Sequence, residues 1–143
     1  MNRVTAAASI LLVGSGLYVI DSFRPWNRAC GAECLTFTLW HGIGILAALV
    51  AMALLVLEGT LLFHPGMWPS GTTPAPLSTI GAAFLLLLTM LKVTVDAAYL
   101  AYGAWLGLAL AAVVAYAGYR RWLEGRQGRS PGDHRGPPPS RAR

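Results

Sequence analysis

The amino-acid sequence predicts an all-α membrane protein, a four-helix transmembrane bundle with short outer turns and a disordered basic C-terminal tail. Three observations predict it. Hydrophobic residues make up 55% of the 143 residues and charged residues only 12%, about half the fraction usual in soluble domains. The apolar residues are bunched into four long runs. The formal charge of +5 sits at one end of the chain. A soluble core of this size needs a charged coat, and the sequence has too few charges to make one.

The runs place the helices. They cover residues 4–20 (VTAAASILLVGSGLYVI), 35–57 (LTFTLWHGIGILAALVAMALLVL), 77–94 and 98–119. A helix needs about 20 residues to cross the hydrocarbon, within about 17 to 25. The second and fourth runs fit that length, and the first and third lie near the short limit. The first run lacks a small-x-small cleavage site followed by a soluble region, so it reads as a retained helix rather than a signal peptide. Residues 1–119 thus form one transmembrane domain and residues 120–143 a tail.

The charge distribution orients the bundle. Arg120, Arg121, Arg126, Arg129, Arg135, Arg141 and Arg143 face only Glu124 and Asp133 in the tail, while the preceding residues balance four positive against four negative charges. The high pI therefore belongs to the tail and is no argument for nucleic-acid binding. With Arg3 before the first helix and the tail after the fourth, both termini are expected in the cytoplasm of a multi-pass plasma-membrane protein. The connection at 58–76 then faces inward. Its HPGMWPSGTTPAP stretch is too rich in Pro and Gly for helix or strand, and Glu58 is expected to be solvated at the end of helix two. Arg120 and Arg121, just past the fourth run, are placed to meet anionic lipid.

Small residues point to close packing. Gly103, Gly107, Ala111 and Ala115 recur every four residues and form one narrow groove. Tight packing is the main attraction between helices in lipid, so the groove reads as a contact with an internal neighbour or with a second protomer. Tyr18, Trp26, Trp40, Tyr99 and Tyr102 are expected to ring the outer end, and Tyr119 and Trp122 to mark the inner one.

Chemistry-bearing residues cluster at the outer end, in FRPWNRACGAECLTFTLWHG (residues 23–42). Cys30 and Cys34 are disulfide candidates on an extracellular turn. Their spacing is one longer than the redox CxxC, and a zinc site using them with His41 would need a fourth ligand from Asp21 or Glu33. Pro25, Trp26, Trp40 and His41 read as a packed cap. Lys92 and Asp96, four apart, share a helix face, and with Asp21 they form a candidate outer-end polar network. Ionisable residues inside a membrane raise a functional question by default, but these lie at helix ends. The sequence holds no recognisable catalytic, metal or cofactor motif.

The order of FRPW (Phe23, Pro25, Trp26), an outer loop with cysteines, LWHGIG (Trp40, Gly42) and GAWLGL opening the fourth helix resembles small, uncharacterised four-helix membrane proteins of actinobacteria. The resemblance covers roughly residues 5 to 120. It implies a cell-membrane bundle and brings no activity with it. The expected role is therefore non-enzymatic, as a homo-oligomer or accessory subunit acting through helix packing. A small transporter, channel or holin-like pore is one alternative, and a thiol-redox or metal-handling membrane protein is another.

Overall fold

The computed structural model describes residues 6–30, 33–64 and 75–127. Its elements are α1 (Ala6–Asp21), β1 (Asn27–Cys30), β2 (Cys34–Phe37), α2 (Gly44–Phe63), α3 (Ala75–Val95), a 3-10 turn (Ala97–Tyr99) and α4 (Tyr102–Gln127). Three of the helices, α2, α3 and α4, are long and apolar enough to cross a membrane, whereas α1 is a shorter apolar helix of 16 residues.

The helices form a closed ring in which α1 packs on α2 and α4, and α3 on α2 and α4. Ring neighbours are antiparallel. Leu55 lies beside Gly16 and Leu12 beside Gly59; Leu54 lies beside Gly81, Ala82 beside Gly118, and Val114 beside Gly14. Glycine and alanine at these crossings let the backbones approach, which in lipid does the work that hydrophobic burial does in water.

The helices carry large apolar side chains on the outside as well as in the core, and several polar groups lie inside. Ser15, Asp21, Glu58, Ser78, Thr89 and Lys92 are buried, while Val13, Ile20, Val56, Ile80, Leu87 and Val95 are more than half exposed. Apolar side chains are ordinarily the buried ones, and charged side chains almost never are unless paired.

Several boundaries differ from the sequence expectation. Helix two was expected over residues 35–57, yet Cys34–Phe37 is a strand, Leu39–Ile43 forms turns, and the helix runs from Gly44 to Phe63. The fold is therefore not purely α-helical. Between α1 and α2 lies an antiparallel hairpin pairing Asn27 with Phe37, Arg28 with Thr36, Ala29 with Leu35 and Cys30 with Cys34. Gly42, at φ 61°, makes the turn into α2, a backbone angle that other residues rarely adopt. Helix four starts at Tyr102 rather than residue 98 and continues through Arg120 and Arg121 to Gln127, so this part of the expected tail is helical. The tail beyond residue 127, Arg3 and most of the 58–76 connection lie outside the described residues.

Candidate functional site

The hairpin is the base of a cap over the end of the bundle where α1 and α3 finish and α2 and α4 begin. After α1 the chain turns, with Ser22 N–H donating to the Tyr18 carbonyl (2.9 Å) and Arg24 N–H to the Asp21 carbonyl (2.9 Å). Trp26 then enters the bundle and is fully buried. Its backbone bonds two elements: its N–H donates to the Phe37 carbonyl (2.8 Å) and its carbonyl accepts from Ala101 N–H (2.7 Å). Its indole Nε1 donates to the Asp21 carbonyl at 3.0 Å, and its ring meets Tyr18 edge-on at 6.0 Å.

The groove on α4 receives this cap. A Cβ on Gly107 would collide with the Trp26 ring, and one on Gly103 would lie 2.7 Å from the Pro25 carbonyl oxygen. Gly103, Gly107 and Ala111 are buried and Ala115 half-buried. The upper half of the small-residue stripe is thus filled from within the chain, by the Pro25–Trp26 segment. Tyr18 and Trp26, expected in an aromatic ring at the membrane surface, are instead core residues; Tyr99 and Tyr102 are exposed.

The rest of the cap closes on Ser22. Leu39 N–H donates to its carbonyl (3.2 Å), and Trp40 Nε1 to its hydroxyl (3.1 Å). Trp40 also packs on Phe23 at 5.4 Å. The His41 ring stands edge-on to Phe37 at 5.3 Å.

A polar cluster anchors the cap to α3. Lys92 Nζ pairs with Asp96 Oδ2 at 2.5 Å and donates to the His41 carbonyl at 3.1 Å. Asn27 Nδ2 donates to the same Asp96 oxygen at 2.7 Å. One carboxylate therefore holds α3, β1 and, through Lys92, the entry to α2. Asp21 stands apart from this network. It is 2% exposed, and neither of its side-chain oxygens has a hydrogen-bond partner. Asn27 takes the place that the sequence reading gave to Asp21.

Burial pushes the Asp96 carboxyl up, but hydrogen bonds from Lys92 and Asn27 and the Lys92 charge outweigh it, leaving it below the usual carboxylate range. A carboxyl that is more acidic folded than unfolded contributes stability fully above its unfolded pKa, and loses it as pH falls through the folded value. Asp96→Asn is therefore expected to lower the melting temperature at neutral pH and to flatten its fall in acid. Melting curves of both proteins from neutral pH down to about pH 3 check this; parallel acid limbs would sink the assignment.

Cys30 and Cys34 form a disulfide with Cα atoms 4.1 Å apart, at the exposed tip of the hairpin. It closes a loop of three residues, so its entropic contribution is at the small end of the range for disulfides. The bonds of Trp26, Ser22 and Asn27 hold the cap to the bundle, while this bridge closes only the hairpin tip.

A second buried cluster lies toward the other end. Glu58 is 2% exposed, not solvated as the sequence suggested. Its Oε1 accepts from the Ser78 hydroxyl at 2.5 Å, and its Oε2 pairs with Arg121. The Arg121 guanidinium, expected at the lipid surface, thus turns inward. Helix α2 continues five residues past Glu58, which carries the carboxylate into the bundle. The cluster ties α2, α3 and α4 together, and Thr79 reinforces it by donating to the Gly118 carbonyl at 2.8 Å.

Between the two ends the interior is mainly apolar. Tyr18 and Thr89 share a hydrogen bond of 2.7 Å, and buried Ser15 lies one turn before Tyr18 on α1. Between these groups and the Glu58–Ser78 pair stand Leu11, Ala82, Leu85 and Val114, all fully buried. Among the described residues, no group of three or more His, Cys, Asp or Glu gathers as a metal site would require. Compared with known protein families, curated proteins and solved structures, the chain shows no match.

Proposed function

We propose that the protein is an integral membrane protein of the cell envelope that acts without catalysis, by assembling with copies of itself or as an accessory subunit of another membrane protein. The observation that carries this reading is the apolar surface of the helices: Val13, Ile20, Val56, Ile80, Leu87 and Val95 are more than half exposed, while Glu58, Ser78, Thr89 and Lys92 lie inside. Hydrocarbon is the solvent that stabilises such a surface, because every exposed Leu or Phe would cost free energy in water. The resemblance to small actinobacterial four-helix membrane proteins agrees with it. The hairpin is placed outside the cell and both termini in the cytoplasm, following the arginine excess after α4.

The cap and the two buried ionic clusters fit a rigid frame. The apolar layer around Leu11, Leu85 and Val114 counts against a conducting pore, since a charge crossing it would meet no polar partner. Because Pro25 and Trp26 fill the upper stripe on α4, assembly in this reading uses outward-facing apolar side chains instead. The test has two steps. Alkaline carbonate should leave the protein in the membrane pellet; release into the supernatant would sink the membrane reading. Fluorescently tagged protein in liposomes should then bleach in two or more steps per spot if it self-assembles. Single-step bleaching would remove the homo-oligomer and leave only the accessory-subunit form.

A further inference from the structure

We propose that a recess between α1 and α4, near the Arg120 end of the bundle, binds the headgroup of a zwitterionic lipid carrying a primary ammonium and a phosphate, of the phosphatidylethanolamine type. The proposal rests on the membrane reading above and goes beyond it by naming a ligand class.

The recess has a volume of about 160 Å³ and is walled by Ala7 and Ile10 of α1 and by Tyr116, Ala117, Arg120 and Glu124 of α4. It exists because small residues meet there: Ala7 and Ala117 are buried and leave the space that larger side chains would fill. Tyr116, Arg120 and Glu124 follow at intervals of four, so they share one face of α4.

Two opposite charges line the recess; each feels the other's field, but they are not in direct ion-pair contact. Arg120 is exposed and donates to the Tyr116 hydroxyl at 3.3 Å. Among the described residues the ion pairs are Lys92–Asp96 and Arg121–Glu58, and no described carboxylate lies within ion-pair distance of Arg120. Glu124 has its Oε2 screened from solvent and without a hydrogen-bond partner. A buried acceptor left unpaired costs free energy, so a donor is missing at this oxygen. A simple anion would meet Arg120 but be repelled by Glu124. A zwitterion satisfies both: its phosphate accepts from Arg120 and the Tyr116 hydroxyl, and its ammonium donates to Glu124. A quaternary ammonium has no N–H and cannot serve at Glu124.

The level in the bilayer also fits. Tyr119 and Trp122 stack at 6.1 Å, and the Arg126 guanidinium lies 4.5 Å over the Trp122 ring. Aromatic and cationic side chains of this kind mark the headgroup layer. Ile10, partly exposed at the recess, gives an acyl chain an apolar wall to follow.

The test uses delipidated full-length protein in detergent. Phosphatidylethanolamine, phosphatidylglycerol and phosphatidylcholine with identical acyl chains are added in turn, and retained lipid is counted by native mass spectrometry. Phosphatidylethanolamine should be retained about tenfold better than phosphatidylcholine, the scale of one charge-assisted hydrogen bond. Glu124→Gln should abolish that preference, and Arg120→Gln should weaken retention of both. Equal retention of all three lipids by the unaltered protein overturns the proposal, as does stronger retention of phosphatidylglycerol, which would mark a plain basic anchor. An unchanged preference in Glu124→Gln also overturns it. The ranking by the unaltered protein decides the matter even if a variant fails to fold. Release by carbonate would instead indict the membrane reading, so the two failures are distinguishable.

Discussion

Gly107→Ala is expected to unseat the hairpin cap. The added methyl would occupy the space of the Trp26 indole and lie 3.0 Å from Asp21 Oδ2. Neither neighbour has room to yield. Trp26 is fully buried and pinned by its backbone to Phe37 and Ala101, and Asp21 is buried beside it. Overpacking a filled core costs about 1–3 kcal/mol, and here it also threatens the burial of a whole tryptophan. A fall in melting temperature in detergent, with faster proteolysis at Arg24 and Arg28, is the expected readout. Gly16→Ala is the control. Its Cβ would meet only Leu55 Cδ1 at an ordinary 3.7 Å, and replacing a helical glycine gains about 1 kcal/mol of propensity. That variant should match or exceed the unaltered protein. Combining Gly107→Ala with Trp26→Leu should give a coupling energy well beyond additivity, as residues in contact do. Equal effects of Gly107→Ala and Gly16→Ala would mean that Trp26 does not occupy the groove.

The same position shows what the sequence made legible. Four-residue spacing revealed a groove on α4, because periodicity is a property of one helix. It did not reveal the occupant, since Trp26 comes from a segment about eighty residues earlier, and a tryptophan near a helix end suits a headgroup layer as well as a core. The start of α2 was misplaced for a related reason. LTFTLW runs without a charged residue into the helix that follows, and a short apolar run cannot be told from a strand by hydrophobicity alone. Signals of the break were present in Thr36 and Thr38, which are β-branched, and in the Gly42 and Gly44 pair. The Lys92–Asp96 pair was visible through its helical spacing, but its third member was not. Asp21 was chosen by charge, whereas the site uses the carboxamide of Asn27 as a donor to Asp96. Charge matching finds ion pairs and overlooks neutral donors.

Glu58 shows the opposite error, and its substitution is expected to have the largest effect of all. Its carboxylate is 1% exposed and the Arg121 side chain 14%, so each charge depends on the other. Removing one partner of a buried ion pair costs about 3–5 kcal/mol in soluble proteins, because the survivor stays buried and uncompensated. In the proposed membrane setting that survivor would be no cheaper to bury. Glu58→Leu and Arg121→Leu should therefore each lower thermal stability sharply and reduce the yield of folded protein. The double variant should recover most of the loss, since replacing both charges by apolar groups is often neutral or stabilising. If Arg121 instead served lipid headgroups, Arg121→Leu would leave the melting temperature almost unchanged and Glu58→Leu would not be rescued by it. Melting curves of the two singles and the double separate these outcomes. A rescue would identify the pair as the fastening that closes α2, α3 and α4 at the end of the bundle opposite the cap.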